Sequence, residues 1–271
     1  MAGKLMDKLN HAMMFNNWLH FKDPSPALDP QEQWIVAFGS TIWSFLGDYV
    51  NAFESEDDQA TCQKMLEKWW GVTDAESYRE KTQALASHGQ RGEFQPYVDL
   101  IRDFRNFVDN LSGMSKMKIG FLPTSVVSSY FKKSDTSFKQ AMKDLGLDSS
   151  DLTKMLMLCY GYGEGDDFAE FIEDFANVKT TLAWDAVRVV NVSSLAYSAG
   201  YVSKEEAMQV CLQLVAPVQQ AYDSWRNVAA AYVMGSWLWD ERTDARLDNV
   251  SRTTAMLLNN STTLINQVPF K

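Results

Sequence analysis

The sequence predicts an all-α protein: a single globular multi-helix domain built around a buried central helix at about residues 180–200. Three observations carry this. Apolar residues recur every three to four positions in nearly every periodic segment. Helix starts are marked by Ser, Thr or Asp followed three residues later by Glu. The run Thr180–Val202 holds only two charges, Asp185 and Arg188, across 23 residues. A surface helix needs a polar face, so a helix with almost none is buried on all sides.

The first predicted helix spans Gln31–Phe53, with Trp34, Phe38, Ile42, Phe45, Tyr49 and Phe53 on one stripe. Asp29 caps it, Pro30 suits its first position, and Glu32 completes a capping box. Asp57–Trp70 is the next, stopped by Gly71. Thr73 with Glu76 then starts a helix ending near His88, and Phe94–Leu111 follows with Tyr97, Phe104 and Leu111 at helical spacing. Ser112–Ser137 reads as loop plus one short helix, with a small hairpin as the alternative. Short helices around Phe138–Leu145 and Leu152–Tyr160 lead to the loop Gly161–Gly165 and an acidic helix, Asp166–Ala176. After the central helix, Ser203 with Glu206 opens a helix to Val215, and Pro217 opens another carrying Tyr222, Trp225, Ala229, Tyr232, Ser236 and Trp239. Gly235 inside that helix implies close approach of a neighbour. Arg246–Lys271 has one helical stretch and a polar end. No Pro/Gly/Ser linker divides the chain, so residues 1–271 read as one helical domain, with residues 1–55 as an outer layer over a core at 57–240.

A net charge of −10 opposes binding to a phosphate backbone and argues against nucleic acid. It suits a basic protein partner. Cys62, Cys159 and Cys211 are odd in number and widely spaced, which excludes a disulfide framework and fits a reducing, cytoplasmic compartment. The start lacks a continuous apolar stretch of the secretory type, and no run reaches the roughly 18 apolar residues of a membrane span.

Trp69-Trp70-Gly71-Val72-Thr73-Asp74 leads to His88-Gly89-Gln90-Arg91. Much later come Ala183-Trp184-Asp185 with Arg188, Ala199-Gly200-Tyr201, Trp225, and Tyr232 with Gly235. This order resembles a bacterial family known only as domain of unknown function 1266, over roughly residues 57–239. The resemblance implies a helical, cytoplasmic bacterial protein and brings no reaction with it. Members of the family often carry a basic residue after the late glycine, where this chain has Ser236.

Asp185 and Arg188 sit three apart and can meet on one helix face. In apolar surroundings they must be paired or face a cavity. One reading is a structural ion pair, extended by Asn191 or Tyr201; the other is a cleft in which Asp185 is a base, Arg188 holds an anion and Tyr201 assists. The histidines His11, His20 and His88 show no metal-ligand spacing, so no metal site and no cofactor are expected. Gly161-Tyr162-Gly163-Glu164-Gly165 lacks phosphate-loop spacing and reads as a helix connection. Ser193, Ser194 and Ser198 are expected to pack or bond to backbone, and Trp237 and Trp239 to belong to the core.

Glu164, Asp166, Asp167, Glu170, Glu173 and Asp174 place six acids within 11 residues with no base among them. That is a solvated face or a docking surface for a basic protein; calcium lacks its loop pattern here. The expected function is a non-catalytic protein-binding module, one form of which is an acidic inhibitor or immunity-type protein for a basic toxin. The alternative is a hydrolase or transferase using Asp185 and Arg188.

Overall fold

The computed structural model describes residues 19–109, 136–146, 148, 177–240 and 244–271. Among the described residues the structure is all-α: there is no strand, only a lone bridge between His20 and Tyr49. The helices are α1 (Pro30–Leu46), α2 (Gln59–Met65, continued by a π-helical turn Leu66–Trp70), α3 (Ala75–Ser87), α4 (Arg91–Asp109), α5 (Thr136–Asp144), α6 (Leu182–Ser198), α7 (Lys204–Leu212), α8 (Val215–Ala221), α9 (Trp225–Trp239), α10 (Asp244–Asn259) and α11 (Leu264–Gln267).

The predicted central helix is α6. Every residue from Ala183 to Ala196 is buried, because α1, α2, α3, α7 and α9 surround it. Its start is held by Tyr222, whose hydroxyl accepts from Ala183 N and donates to Thr180 O, both at 2.9 Å. Its end is closed by Gly200 at φ +75°, and Gln59 and Gln63 of α2 both donate to Ala199 O at 3.0 Å. Loose carbonyls at a buried helix end need such donors. Ser193, buried, places its Oγ 3.0 Å from the Tyr78 hydroxyl, a side-chain partner where backbone or packing was expected, and half-buried Ser198 accepts from the backbone Ser55 N at 2.9 Å.

The capping box of α1 is present, with Asp29 accepting from Gln31 N and Glu32 N and Glu32 returning to Asp29 N. The helix stops at Leu46, short of the predicted Phe53, because Gly47 turns left-handed at φ +70° and Asp48 N reaches back to Trp43 O at 3.0 Å. Phe53 still reaches the core from the following loop, against Trp43 and Tyr197. Trp34 through Phe45 are all buried, packed on α6, α10 and α11.

Other starts shift by small steps. Asp74, not Thr73, caps α3, and Ser77 in place of Glu76 completes the box. Ser203 caps α7 as predicted, accepting from Glu206 N at 3.2 Å. The run expected through Val215 breaks after Leu212. Tyr222 falls between helices, since Ser224 caps α9 by accepting from Asn227 N at 3.2 Å. The C-terminal tail is tied down: Phe270 O accepts from Trp34 Nε1 at 3.1 Å and from Gln219 Nε2 at 2.6 Å, and the Phe270 ring meets Trp225 edge-on at 5.1 Å. The expected elements within residues 112–135 and 152–176 lie outside the described residues.

Gly235 does mark a close approach. A Cβ built there would stand 2.7 Å from Trp184 Cγ and closer still to its Cβ, so α6 and α9 touch through the glycine. Gly235→Ala should force the two helices apart and cost about 1–3 kcal/mol in denaturant unfolding. Gly92→Ala is the control: that position in α4 is exposed with nothing within 4 Å, so it should stabilise by up to about 1 kcal/mol through helix propensity.

Candidate functional site

The turn between α3 and α4 gathers the residues that the sequence placed far apart. α3 ends at Ser87, and His88-Gly89-Gln90 reverses the chain into α4. Reversal needs a left-handed residue, and Gly89 adopts φ +51°. A side chain there is excluded twice, because a Cβ would overlap the Asp185 carboxylate.

Asp185 lies in the first turn of α6 and is fully buried. Its carboxylate caps α4 from another element: Oδ1 accepts from Gln90 N at 2.9 Å, and Oδ2 from Arg91 N at 3.0 Å. Oδ1 also accepts from Arg188 Nη2 at 2.5 Å, and Oδ2 from Arg91 Nη1 at 3.1 Å. A carboxylate offers about four acceptor positions. All four are occupied, two on each oxygen. Taking the charge out of water costs several kcal/mol. Charge-assisted bonds of roughly 1.5–3 kcal/mol each, together with the helix N-terminus beside it, offset that cost.

Arg91 works in the opposite sense. Its guanidinium donates to Leu85 O, Ala86 O and Ser87 O at 3.3, 2.8 and 2.6 Å, closing the C-terminus of α3. Arg188 donates to Trp184 O at 3.3 Å and to Gln90 Oε1 at 2.9 Å, and its guanidinium carbon stands 4.6 Å from the Trp184 ring centre. Gln90 Oε1 accepts a second bond, from Trp184 Nε1 at 3.1 Å. Burial pulls the Arg188 guanidinium down from its usual range, against the Asp185 carboxylate.

Asp185 and Arg188 are thus paired as the sequence suggested. The partners that complete the cluster are Gly89, Gln90 and Arg91, which sequence reasoning did not connect to them. Tyr201 lies elsewhere: thirteen residues of helix, about 20 Å at 1.5 Å per residue, run from Asp185 to the far end of α6 at Ser198. Its phenol is pushed up by burial and by Glu67 and Asp74. Glu164, Asp166, Asp167, Glu170, Glu173 and Asp174 lie outside the described residues, as does the Gly161–Gly165 loop.

A second cluster adjoins the first. The Trp184 ring meets Tyr232 at 5.7 Å and Trp239 at 5.9 Å. Arg246 stacks over Phe45 at 4.2 Å and Trp239 at 5.5 Å, and its Nε donates to Ser236 Oγ at 2.8 Å. Where the family resemblance leads one to expect a basic side chain after the glycine, a buried serine anchors an arginine from α10. Trp237 is core as predicted, but Trp239 is 49% exposed. Lying at the last turn of α9, it has solvent on one side.

Among the described residues no group of three or more His, Cys, Asp or Glu is placed to hold a metal ion. His20 bonds Glu56 at 2.9 Å. Among the described residues, no helix is long and apolar enough to cross a membrane.

A family model, "Protein of unknown function (DUF1266)", matches residues 65–270. The chain belongs to this family. The match takes in α3 through α11, so it holds the Asp185 cluster and all of the second cluster but Phe45, and extends past the late tryptophans to Phe270. No curated protein and no solved structure matches the chain.

Asp185→Asn replaces an acceptor-only group with one that must point an N–H at other donors. It should destabilise by about 3–5 kcal/mol, read from the denaturant midpoint, because Arg188 is left buried without its counter-charge. Gly89→Ala should be destabilising by the same measure, and an unchanged midpoint in both would remove the cluster from its structural role. Burial pushes the Cys62 thiol up to about 11 and the Cys211 thiol up to about 12. In a Cys159→Ser background, neither should react with a thiol reagent at neutral pH until the protein is unfolded.

Proposed function

We propose that this member of the DUF1266 family is a non-catalytic binding module for a basic protein, acting in a bacterial cytoplasm. The observation that carries the reading is the state of Asp185: its four acceptor positions are filled by two backbone amides and two guanidiniums. A general base needs an open lone pair within reach of the proton it takes. Asp185 has none to offer, and Tyr201 stands at the other end of α6, which supports a structural reading of these residues over a hydrolase or transferase.

The chain's chemistry outside that cluster is acidic. Its net charge is −10, and the stretch Glu164–Asp174 carries six acids without a base. Such a concentration of negative charge supports steering of a cationic partner by long-range attraction. An inhibitor that masks a basic toxin is one form this activity would take. Three widely spaced cysteines, two of them buried as free thiols, fit a reducing compartment.

The test is capture of partners from cell extract on the immobilised full chain at low ionic strength, with the triple variant Glu170→Lys, Glu173→Lys, Asp174→Lys beside it. Captured basic proteins should be lost from the variant, and lost from the native chain as salt rises well above the ~0.1 M at which the screening length is about 10 Å. An identical captured set on both chains would sink the acidic docking surface.

A further inference from the structure

Residues 19–25 form a strap across the loop that joins α1 to α2. Its backbone is what the loop holds. Val50 N donates to His20 O at 2.8 Å, beside a single parallel bridge between His20 and Tyr49. Two residues on, the Asn51 side chain stands in for a neighbouring strand. Its Oδ1 accepts from Lys22 N at 2.7 Å, and its Nδ2 donates to Lys22 O at 3.1 Å. The same Nδ2 donates to Ser25 Oγ at 3.0 Å. All of these bonds but the last use main-chain groups of the strap, so another extended segment with a free amide can make them.

Side chains supply the selection. His20 and Lys22 are two positions apart, which puts them on one side of an extended chain. His20 Nδ1 lies 2.9 Å from Glu56 Oε2, and Lys22 pairs with Glu54. Glu54 also lies in the field of Lys204, whose ion-pair partner is Glu32 at 2.5 Å. The loop is acidic: residues 48–58 hold five acids and no base. Asp48 and Asp58 serve the loop itself, Asp48 accepting from Ser55 Oγ and Glu56 N and Asp58 capping α2. Glu54 and Glu56 are turned to the strap.

The hold is one that water contests. The side chains of His20, Lys22 and Glu56 are all more than a third exposed, and ion pairs so exposed contribute little. Phe21 is exposed as well, while Leu19 and Leu28 are partly buried against the core. A segment tied in this way opens locally at far lower free energy than the helices beneath it. Strap and loop both precede Met65, where the family match begins.

We propose that the strap is an autoinhibitory occupant of a docking surface. Asn51, Glu54 and Glu56 take an extended segment of a basic partner, with cationic side chains two positions apart, once residues 19–25 are displaced. This rests on the basic-partner reading and gives that partner a surface separate from residues 164–174. A tethered strap competes at an effective concentration on the order of millimolar. A partner carrying more cations than the strap overcomes it.

The probe is a labelled peptide of four Arg-Ser repeats, titrated with the full chain at low ionic strength and followed by fluorescence anisotropy. It should bind, and a peptide of four Arg followed by four Ser should bind more weakly. The double variant His20→Ala, Lys22→Ala should tighten the repeat peptide at least about fivefold, since apparent affinity scales with the fraction of chains whose strap is open. Lys139→Ala removes a charge from an exposed position of α5 and should leave the affinity unchanged. Glu54→Gln with Glu56→Gln should weaken binding severalfold and keep the circular dichroism spectrum. At saturating peptide the Lys22 amide should lose its protection from hydrogen exchange, and the Val50 amide should keep it, because a peptide carbonyl replaces that of His20. Unchanged affinity in the His20 and Lys22 variant, or a Lys22 amide still protected at saturation, overturns the autoinhibition. Binding that survives in the Glu54 and Glu56 variant, and is lost instead from Glu170→Lys, Glu173→Lys, Asp174→Lys, overturns the loop while the basic-partner reading stands. The reverse pattern supports strap and loop even where capture from cell extract fails.

Discussion

Three helix ends meet at Asp185, and the way their charges are satisfied constrains everything packed around them. α3 ends with carbonyls that need donors, α4 begins with amides that need an acceptor, and α6 begins within the same few ångströms. Arg91 serves the first and Asp185 the second, and they bond each other. The geometry admits no side chain at Gly89, since the carboxylate occupies that space. The two residues are 96 positions apart in sequence, yet each defines the room available to the other.

Around this polar joint the packing is aromatic and tight. Trp184 lies one residue before Asp185 and touches nearly every element of the joint: its indole N–H bonds Gln90, its face carries Arg188, and its Cβ rests against the bare backbone of Gly235. Burying a large aromatic side chain contributes on the order of 2–3 kcal/mol. That is comparable to the cost of holding one imperfectly solvated charge, so joint and packing depend on each other. Removing either would expose the other to water.

Features with a local cause are legible in the sequence. The cap at Asp29 and Glu32, the start at Ser203 and the burial of α6 follow from residues within a few positions of one another. Gly235 is legible because a glycine weakens an aromatic-rich helix unless a neighbour needs the space a side chain would fill. Gly47 carries a stop signal too, but the apolar stripe through Tyr49 and Phe53 outweighs it; Phe53 is buried for tertiary reasons that mimic helical spacing. At Tyr222 the same mimicry hides the Ser224 cap. The partners of Asp185 are beyond local reading altogether. A hydrogen bond from Gln90 N across 95 residues leaves no periodic trace, and the only hint is that His88-Gly89-Gln90-Arg91 and Ala183-Trp184-Asp185 both stand out as motifs.

The contact of Trp34 with Phe270 has a bearing on how the chain comes to be folded. Its two ends are 236 residues apart, and α1 packs against α10 and α11 as well as α6. A helix buried along Trp34–Phe45 therefore leaves the ribosome long before its last neighbours exist. At about 5–20 residues per second, the interval is on the order of tens of seconds. For that time the part of α1 that α10 and α11 cover has no native partner, although α6 is made earlier and can cover the rest. The native arrangement thus delays completion of the α1 packing until Phe270 has emerged.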